Sequence, residues 1–262
     1  ETSHPRRFCK ILRILGPRDD PRFDWLVIAA RHDLPLEPDE KVTAAARSVL
    51  DQQMDVGGGE DRRDLRDLDC VTIDPKTAQD FDDAISLEWL PSGDQRLGVH
   101  IADVSHFVEQ GGVIDTDARL RGTSVYLCDQ VIHMLPRQLA ADACSLKPHE
   151  DRYAVSIFLD IDGAGRIVAT DGAVSVIRSK ARLTYEEVQA VIDGDPVHGA
   201  TAAFEGLLGE MAALSQRLRA RRFERGALDF DVPEARVDVD DDGSVSGLGR
   251  EARYSSHRLV EE

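Results

Sequence analysis

Four carboxylates stand close together in one short stretch of the sequence. Residues 73–84 read IDPKTAQDFDDA, and the four acids among them are Asp74, Asp80, Asp82 and Asp83. Like charges at this density repel one another unless a cation lies among them. An acidic turn facing water is the plain alternative, because runs of charge are usually solvated. Phe81 and Ala84 interrupt the acids, which indicates a backbone packed against a core and favours a site.

The spacing of these acids favours metal chemistry. In an extended segment Asp80 and Asp82 point to the same side, and Asp83 can reach a second position. Carboxylate oxygens are hard ligands that suit Mg²⁺ or Mn²⁺. A pair of such ions is the usual apparatus for displacement at phosphorus. The loop is therefore a candidate site for cutting a phosphodiester.

The flanking residues predict two strands that hold this loop. Residues 70–73 are rich in β-branched side chains and lack a helical period. The Asp74-Pro75 pair ends this strand, because proline cannot donate to a ladder and holds the residue before it extended. Residues 84–89 alternate apolar and polar side chains and predict the second strand. Rigid strands on both sides are what a cluster of like charges needs.

The rest of the chain predicts a mixture of strands and helices. Further strands are expected at residues 7–15, 97–104, 123–127 and 131–135, with hairpins over 154–176 and around 238–243. Helices are expected after residue 37, at 115–121, at 184–192, at 201–225 and from 255 onward. Residues 61–69 read as solvated coil. His100 and Asp103 interrupt an apolar run, either as satisfied polar groups of the core or as site residues.

Composition restricts the function. The 262 residues carry a net charge of −17, which argues against a general nucleic-acid-binding surface, although arginines cluster at residues 217–225. The four cysteines are widely spaced without a Cys-x-x-Cys pair, which predicts buried thiols in a reducing cytoplasm. No run approaches the roughly 18 apolar residues of a membrane helix. We therefore expect a cytoplasmic protein.

Several ordered motifs resemble the catalytic (RNB) domain of the ribonuclease II/ribonuclease R family. They are VTIDP (71–75), AQDFDDA (78–84), HIADVSH (100–106), RGTSVY (121–126), MLP (134–136), CSL (144–146), ARLTY (181–185) and HRLVEE (257–262). The resemblance implies an α/β (α+β) fold, a mixed sheet flanked by helices, preceded by the remnant of an OB-fold cold-shock domain. It implies the end of that cold-shock region at residues 1–30, a helical linker at 31–60 and the catalytic domain at 61–262.

The family consists of processive 3′→5′ exoribonucleases that release nucleoside 5′-monophosphates with Mg²⁺. By resemblance, Asp74, Asp80, Asp82 and Asp83 are the catalytic and metal-binding aspartates, and the RNA-binding residues are Tyr126, Tyr185, Phe230 and the acid at Glu261 or Glu262. Tyr126 matches an aromatic that stacks on RNA near its 3′ end, and Phe230 a second clamp aromatic. Tyr185 and one of the two glutamates match positions that handle the terminal nucleotide. Without the family, core packing with a hydrogen-bonded hydroxyl is the ordinary explanation of each tyrosine.

The resemblance also sets the expected cofactors and partners. They are two Mg²⁺ ions, for which Mn²⁺ can substitute, and the 3′ end of single-stranded RNA, with no membrane and no obligate protein partner. The family's catalytic domain continues past the position of Glu262 through a stretch with a catalytic arginine, and an S1 domain follows. We therefore expect a truncated catalytic domain that is not fully active alone.

Two other functions stay open. A non-catalytic RNA-binding or regulatory module would keep the same fold without turnover. A different metal phosphodiesterase would cut RNA internally instead of releasing single 5′-monophosphates.

Overall fold

The computed structural model describes residues 10–53, 61–127, 130–230, 232, 235–250 and 252–262. Cys9, Cys128 and the glycines at 57–59, where a helix end was predicted, lie outside these ranges. Cys70 and Cys144 are buried free thiols, as predicted.

Strands make up the centre of the molecule. Those in the described ranges are β1 (Arg63–Leu65), β2 (Cys70–Asp74), β3 (Asp83–Trp89), β4 (Gln95–Ala102), β5 (Val125–Tyr126), β6 (Val131–Ile132), β7 (Asp151–Ile161), β8 (Ile167–Arg178), β9 (Ala181–Thr184), β10 (Ala235–Val239) and β11 (Val245–Arg250). Seven of them form one sheet in the order β1-β8-β7-β4-β3-β2-β9, while β5–β6 and β10–β11 are separate two-stranded ribbons.

The large sheet is mixed, as the resemblance implies. The pairs β1–β8 and β2–β9 are parallel, and every other neighbouring pair is antiparallel. The parallel pairing of β2 with β9 sets Asp74 opposite Thr184, so the residue after Thr184, Tyr185, starts its helix at the same edge as the acid loop. The topology therefore brings two distant sequence motifs to one end of the sheet.

Helices surround this sheet. Their bounds are α1 (Asp24–Arg31), α2 (Glu40–Gln53), α3 (Val104–Phe107), α4 (Val113–Arg121), α5 (Tyr185–Asp193), α6 (Gly199–Ala203), α7 (Glu205–Glu224) and α8 (Ser255–Glu261), with a 3₁₀ turn at Pro21–Phe23 and a π-helical turn at Leu139–Ala143. In the described part of the chain, no helix is long and apolar enough to cross a membrane.

The sheet separates two hydrophobic cores. Because side chains alternate along a strand, Cys70 of β2 packs into a core with α2, α3 and α4, whereas Val71 packs into a second core with α5, α7 and α8. All five residues of β2 are buried. Strands covered on both faces are rich in apolar residues, which is why this strand was recognisable in the sequence. The strand that leads into the acid loop is thus fixed from both sides.

Several predicted elements differ in type or extent from the structure. Residues 61–69 are not all coil, because β1 pairs with β8. The predicted helix at 201–225 is broken at Phe204, which separates α6 from α7. The run at 97–104 ends as a strand at Ala102, since Asp103 caps α3 by accepting from His106 N–H, and Ile101 stays exposed. A long-range pairing explains β1 and a local cap explains the end of the run at Ala102.

The N-terminal predictions have a mixed outcome. Residues 10–15 form no strand, so that part of the strand predicted at 7–15 is wrong, and residues 7–9 lie outside the described ranges. The OB-fold remnant therefore stays a prediction. Within residues 31–60, the helix α2 buries Val42 and Ala46 in the core with α3 and α4. This helix packs against the domain, and the division of the chain at residues 30 and 60 stays a prediction.

His100 and Asp103 have structural partners. His100 is fully buried, with Nε2 2.9 Å from Ser86 Oγ and Nδ1 2.7 Å from Ser156 Oγ. Burial lowers the pKa of His100 to about 4. Asp103 forms an ion pair of 2.7 Å with Arg62. Both are satisfied polar groups of the fold, which settles the alternative left open by the sequence.

Candidate active site

The four aspartates lie on the connection between β2 and β3. Asp74 is the last residue of β2 and Asp83 the first of β3, while Asp80 and Asp82 belong to the intervening loop. Asp74 is 8% exposed. The side chain of Asp82 reaches solvent, and Asp80 and Asp83 are half-buried. The strand, turn and strand predicted from the sequence are confirmed.

Hydrogen bonds to its backbone carbonyl oxygens hold the loop in place. Arg182, on β9, donates through Nη2 to the carbonyl oxygens of Pro75 and Lys76, at 2.6 and 2.9 Å. Its guanidinium also lies 5.5 Å from the centre of the Phe81 ring. At the other end of the loop, the Ala102 N–H of β4 donates to the Asp82 carbonyl at 2.9 Å. These contacts use the loop's carbonyls and leave its carboxylates free to act.

Burial shapes the charge state of Asp74. Burial raises the pKa of Asp74 to about 6, and the carboxylate of Asp83 adds to the rise. Asp74 Oδ2 is buried and has no hydrogen-bond partner. A buried carboxylate oxygen without a donor is costly, since it has lost water and gained nothing in exchange. This atom therefore points to a missing electropositive partner.

The neighbouring acids behave in the same way. Partial desolvation raises the pKa of Asp82, and the carboxylates of Asp80 and Asp83 raise it further. Desolvation also raises the pKa of Asp83. Among the described residues the charge of Arg182 acts against the rise in the pKa of Asp74, but no arginine or lysine forms an ion pair with the four acids. Negative charge therefore accumulates in the loop.

The donor chemistry fits divalent cations, but the ligands are not assembled. Four carboxylates offer only oxygen, the ligand atom that Mg²⁺ and Mn²⁺ prefer, and the orphaned Asp74 oxygen fits the same conclusion. Across the described ranges, however, no three side chains of His, Cys, Asp or Glu converge as ligands of one ion. Uncompensated carboxylates repel one another, which favours separation over convergence. The loop is therefore a candidate metal centre.

Tyr126 lies beside the loop at the rim of a cleft. The cleft has a volume of about 980 Å³ and is lined by Asp74, Asp80 and Tyr126 among others. Tyr126 Oη donates to Asp80 Oδ2 at 3.3 Å, and its side chain is 65% exposed. His133 Nδ1 is 3.9 Å from the same Asp80 oxygen. An exposed ring with an anchored hydroxyl can present its face to a ligand in the cleft.

Tyr185 occupies the other side of the loop. Burial raises its pKa, and so do the charges of Asp74, Asp83 and Glu261. The ring of His257, on α8, stacks on the Tyr185 ring with centroids 4.0 Å apart and planes at 17°. The Tyr254 ring also stacks on His257, with centroids 5.6 Å apart and planes at 21°. The three rings form an aromatic stack next to the aspartates.

The two glutamates at the end of α8 have different surroundings. Glu261 Oε2 accepts from Arg253 at 2.6 Å, which holds the pKa of Glu261 below its usual range. Glu262 turns towards α7, where Arg222 Nη2 lies 3.0 Å from its Oε1. Of the two, Glu261 is the acid whose charge reaches Tyr185.

Phe230 stands apart from this arrangement. Its side chain is 70% exposed, and its carbonyl accepts from Arg253 at 3.4 Å. The described residues show no contact between Phe230 and the acid loop. Its assignment as a clamp aromatic stays a prediction.

Sequence reasoning missed three side chains that support the site. Arg182 and His257 lie inside motifs already noted, ARLTY and HRLVEE, so the signal was present but was not read for these residues. His133 had no such signal, because it lies 53 positions after Asp80 and only the packing of β6 brings the two together.

The fold and the acid loop together define the class. Residues 62–262 match the RNB domain, and the chain belongs to the RNB domain family. The resemblance noted from the motifs is thereby confirmed.

Individual relatives narrow this further. The chain is similar to Ribonuclease R of Thermotoga maritima, at 42% identity over 97% of this chain and 36% of that protein. It is also similar to the structure of Mycoplasma genitalium RNase R in complex with ribose methylated single-stranded RNA, with a TM-score of 0.83, 30% identity, and coverage of 94% of this chain and 38% of the other. The chain thus spans little more than a third of these proteins.

One solved structure shares the fold alone. Yeast Ssd1, described as a pseudonuclease, matches with a TM-score of 0.60 at 18% identity, over 87% of this chain and 26% of the other. The RNB fold therefore occurs also in a protein described as lacking nuclease activity.

Proposed function

We propose that this chain carries the acidic, metal-binding part of the active site of a metal-dependent exoribonuclease. The enzyme removes nucleotides from the 3′ end of single-stranded RNA and releases nucleoside 5′-monophosphates. The observation that carries the proposal is the loop from Asp74 to Asp83, in which aspartates of raised pKa form no ion pair with an arginine or lysine of the described residues. Membership of the RNB domain family supports the same conclusion.

The proposed metal ligands are the four aspartates of the loop. The four carboxylates would hold divalent ions, which when bound would supply a more acidic water and stabilise negative charge at the phosphate and the leaving oxygen. The chain's own contribution is to hold the carboxylates in a fixed backbone frame, through Arg182 on one side and Ala102 on the other. Two Mg²⁺ ions, with Mn²⁺ as a substitute, are the cofactors we propose.

Tyr126 and Tyr185 hold the RNA in this proposal. Stacking of a base on an aromatic ring tolerates any sequence and is worth about 1–3 kcal/mol per base. The exposed ring of Tyr126 offers such a face at the rim of the cleft. Tyr185 is braced from behind by His257 and receives the terminal nucleotide. We assign to Glu261 the hydrogen bond from a ribose hydroxyl, because of the two glutamates it is the one whose charge acts on Tyr185.

A non-catalytic module is the alternative, and two observations favour it. No ligand set converges on one metal position in the described residues, and Ssd1 shares the fold. Against it stands the cost of the site, because like charges in a partly buried loop destabilise the fold. A protein without turnover has no use for four such acids.

The test follows the products formed from a 3′-end-labelled single-stranded RNA. The protein is purified in the form in which the cell makes it and incubated with Mg²⁺ or with EDTA. We expect the label to appear first as a nucleoside 5′-monophosphate, with Mg²⁺ only. Longer labelled fragments would indicate internal cutting and a different phosphodiesterase. RNA binding that is equal in EDTA and Mg²⁺, without nucleotide release, would establish the non-catalytic module.

A further inference from the structure

One buried hydroxyl lies against the backbone on both sides of Asp80. Ser145 Oγ accepts a hydrogen bond from the Phe81 N–H at 3.0 Å and donates one to the Gln79 carbonyl at 3.1 Å. Ser145 is 0% exposed, so no water replaces either bond. A single hydroxyl therefore fixes the peptide groups that precede and follow Asp80.

Ser145 is itself held firmly. Its carbonyl accepts from Arg152 Nε on β7 at 2.8 Å, and Arg152 is 8% exposed. The next residue, Leu146, donates its N–H to the Phe81 carbonyl at 2.8 Å and is fully buried. Three hydrogen bonds thus connect residues 145–146 to residues 79–81, and the central sheet stands behind them.

The contact with Ser145 opposes a movement that the mutual repulsion of the acids favours. Asp80, Asp82 and Asp83 lie within four consecutive residues, and like charges this close together tend to spread the loop. Spreading requires the backbone around Asp80 to move, because that backbone connects the acids to one another. The bonds from Ser145 oppose this movement in the absence of a cation.

We propose that Ser145 is a positioning residue, whose hydroxyl holds the acid loop in the form that receives divalent cations. The proposal rests on the proposed metal site and adds a residue to it that touches neither metal nor substrate. Its effect is expected in the affinity for metal and in the protection of the loop's amides. Substrate binding without metal is expected to be unchanged.

Ser145→Ala, Ser145→Thr and Ser179→Ala form a matched set. Ser145→Ala removes both loop bonds, and Ser145→Thr keeps the hydroxyl. Ser179 is the control, since it is 1% exposed and donates one bond, of 3.2 Å, to the Ala181 carbonyl at the far end of β9 from Asp74. A merely structural loss should appear equally in Ser145→Ala and Ser179→Ala.

The first readout is Mn²⁺ affinity, measured by calorimetry without RNA. We expect Ser145→Ala to bind Mn²⁺ about tenfold more weakly than wild type, as for the loss of one buried hydrogen-bonding group. Ser145→Thr should recover most of the affinity, and Ser179→Ala should match wild type. In the RNA assay the Mn²⁺ requirement of Ser145→Ala should rise, with little change in rate at saturating Mn²⁺. Equal Mn²⁺ affinity of wild type and Ser145→Ala would overturn the proposal.

The second readout is hydrogen exchange at the Phe81 amide, which does not depend on metal or activity. We expect slow exchange in wild type and at least about tenfold faster exchange in Ser145→Ala. Fast exchange in wild type would overturn the proposal even if Ser145→Ala does not fold. If wild type neither binds Mn²⁺ nor releases nucleotides, the proposed function fails. The proposal that Ser145 holds the loop for metal binding then fails as well. A protected Phe81 amide would still establish the backbone contact.

Discussion

The imidazole of His257 stacks on the phenol of Tyr185, with ring centroids 4.0 Å apart. The two residues come from different motifs, one beginning α5 and the other within α8. His257 Nδ1 also accepts a hydrogen bond from the Tyr254 N–H at 3.0 Å. The side chain that supports Tyr185 is thus fixed by the start of its own helix.

The stack predicts that His257 supports RNA binding through its ring. In EDTA, His257→Ala is expected to bind single-stranded RNA roughly three- to tenfold more weakly, as for the loss of an aromatic pair worth about 0.5–1.5 kcal/mol. His257→Phe also loses the acceptor for the Tyr254 N–H, but it keeps a flat ring. Because the ring is what supports binding in this account, His257→Phe should bind close to wild type. Fluorescence anisotropy measures both. Equal weakening in the two variants would show that the acceptor matters and the ring does not.

Asp74 is predicted to destabilise the metal-free fold at neutral pH. Its pKa is about 6 in the folded chain against an ordinary value of 3.8, so between these values the folded state binds more protons than the unfolded state. Stability therefore falls as the pH rises from 3.8 towards 6. Asp74→Asn should raise the free energy of unfolding at pH 7 by on the order of 2 kcal/mol. Urea unfolding in EDTA measures this, and a lower stability of Asp74→Asn would contradict it.

Adding Mg²⁺ should reverse the order of stability of the wild type and Asp74→Asn. If Asp74 is a ligand, Mg²⁺ stabilises the wild type by binding the folded state alone. Asp74→Asn, with one ligand fewer, should gain much less. The comparison is of thermal melting with Mg²⁺ and with EDTA at neutral pH. An equal gain in both proteins would remove Asp74 from the ligand set.

His100 predicts an opposite pH dependence. Its pKa is lowered to about 4 by burial, so below an ordinary 6.5 the unfolded state binds more protons, and stability is lost as the pH falls towards 4. Its ring resonances should not titrate between about pH 5 and 8. Nuclear magnetic resonance of the imidazole resonances over this pH range tests this. A midpoint for His100 above about pH 6 would contradict a buried, neutral imidazole.

Thr184 is predicted to stabilise the start of α5 beside the acid loop. Its Oγ1 accepts from the Glu187 N–H at 3.2 Å, and Glu187 Oε2 accepts from the Thr184 N–H at 2.8 Å. Thr184→Ala should lower the free energy of unfolding by about 1 kcal/mol, whereas Thr184→Ser should keep most of it. Urea unfolding compares the two. An undiminished stability of Thr184→Ala would mean that the cap contributes nothing.

Sequence patterns predicted the elements that local chemistry determines. The Asp74-Pro75 turn, the strands on either side of it and the Thr184 cap are all specified by neighbouring residues. β1 was missed because its few residues form a strand only by pairing with β8, more than a hundred positions later. His133 and Ser145 were missed for the same reason, since each meets the acid loop only after the chain has folded.

The acids themselves show where sequence reasoning ends. Their types and spacing predicted a shared site, and the structure does place Asp74 and Asp83 at facing ends of β2 and β3. It does not bring three ligands together on one position in the described residues. Convergence of these carboxylates needs positive charge among them, and no arginine or lysine of the described residues forms an ion pair with any of the four.

The most direct test of the account is Asp82→Asn. The variant keeps the size of the side chain and removes one charge from the loop. Its control is Asp171→Asn, which changes an exposed aspartate that pairs with Arg63 on the sheet. The protein is assayed in the form in which the cell makes it, by Mg²⁺-dependent trimming of single-stranded RNA from the 3′ end. We predict at least about a hundredfold slower trimming for Asp82→Asn, the order of loss when one transition-state-stabilising group is removed, and a wild-type rate for Asp171→Asn. Unchanged Mg²⁺-dependent trimming by Asp82→Asn would contradict the assignment of this loop as the catalytic centre.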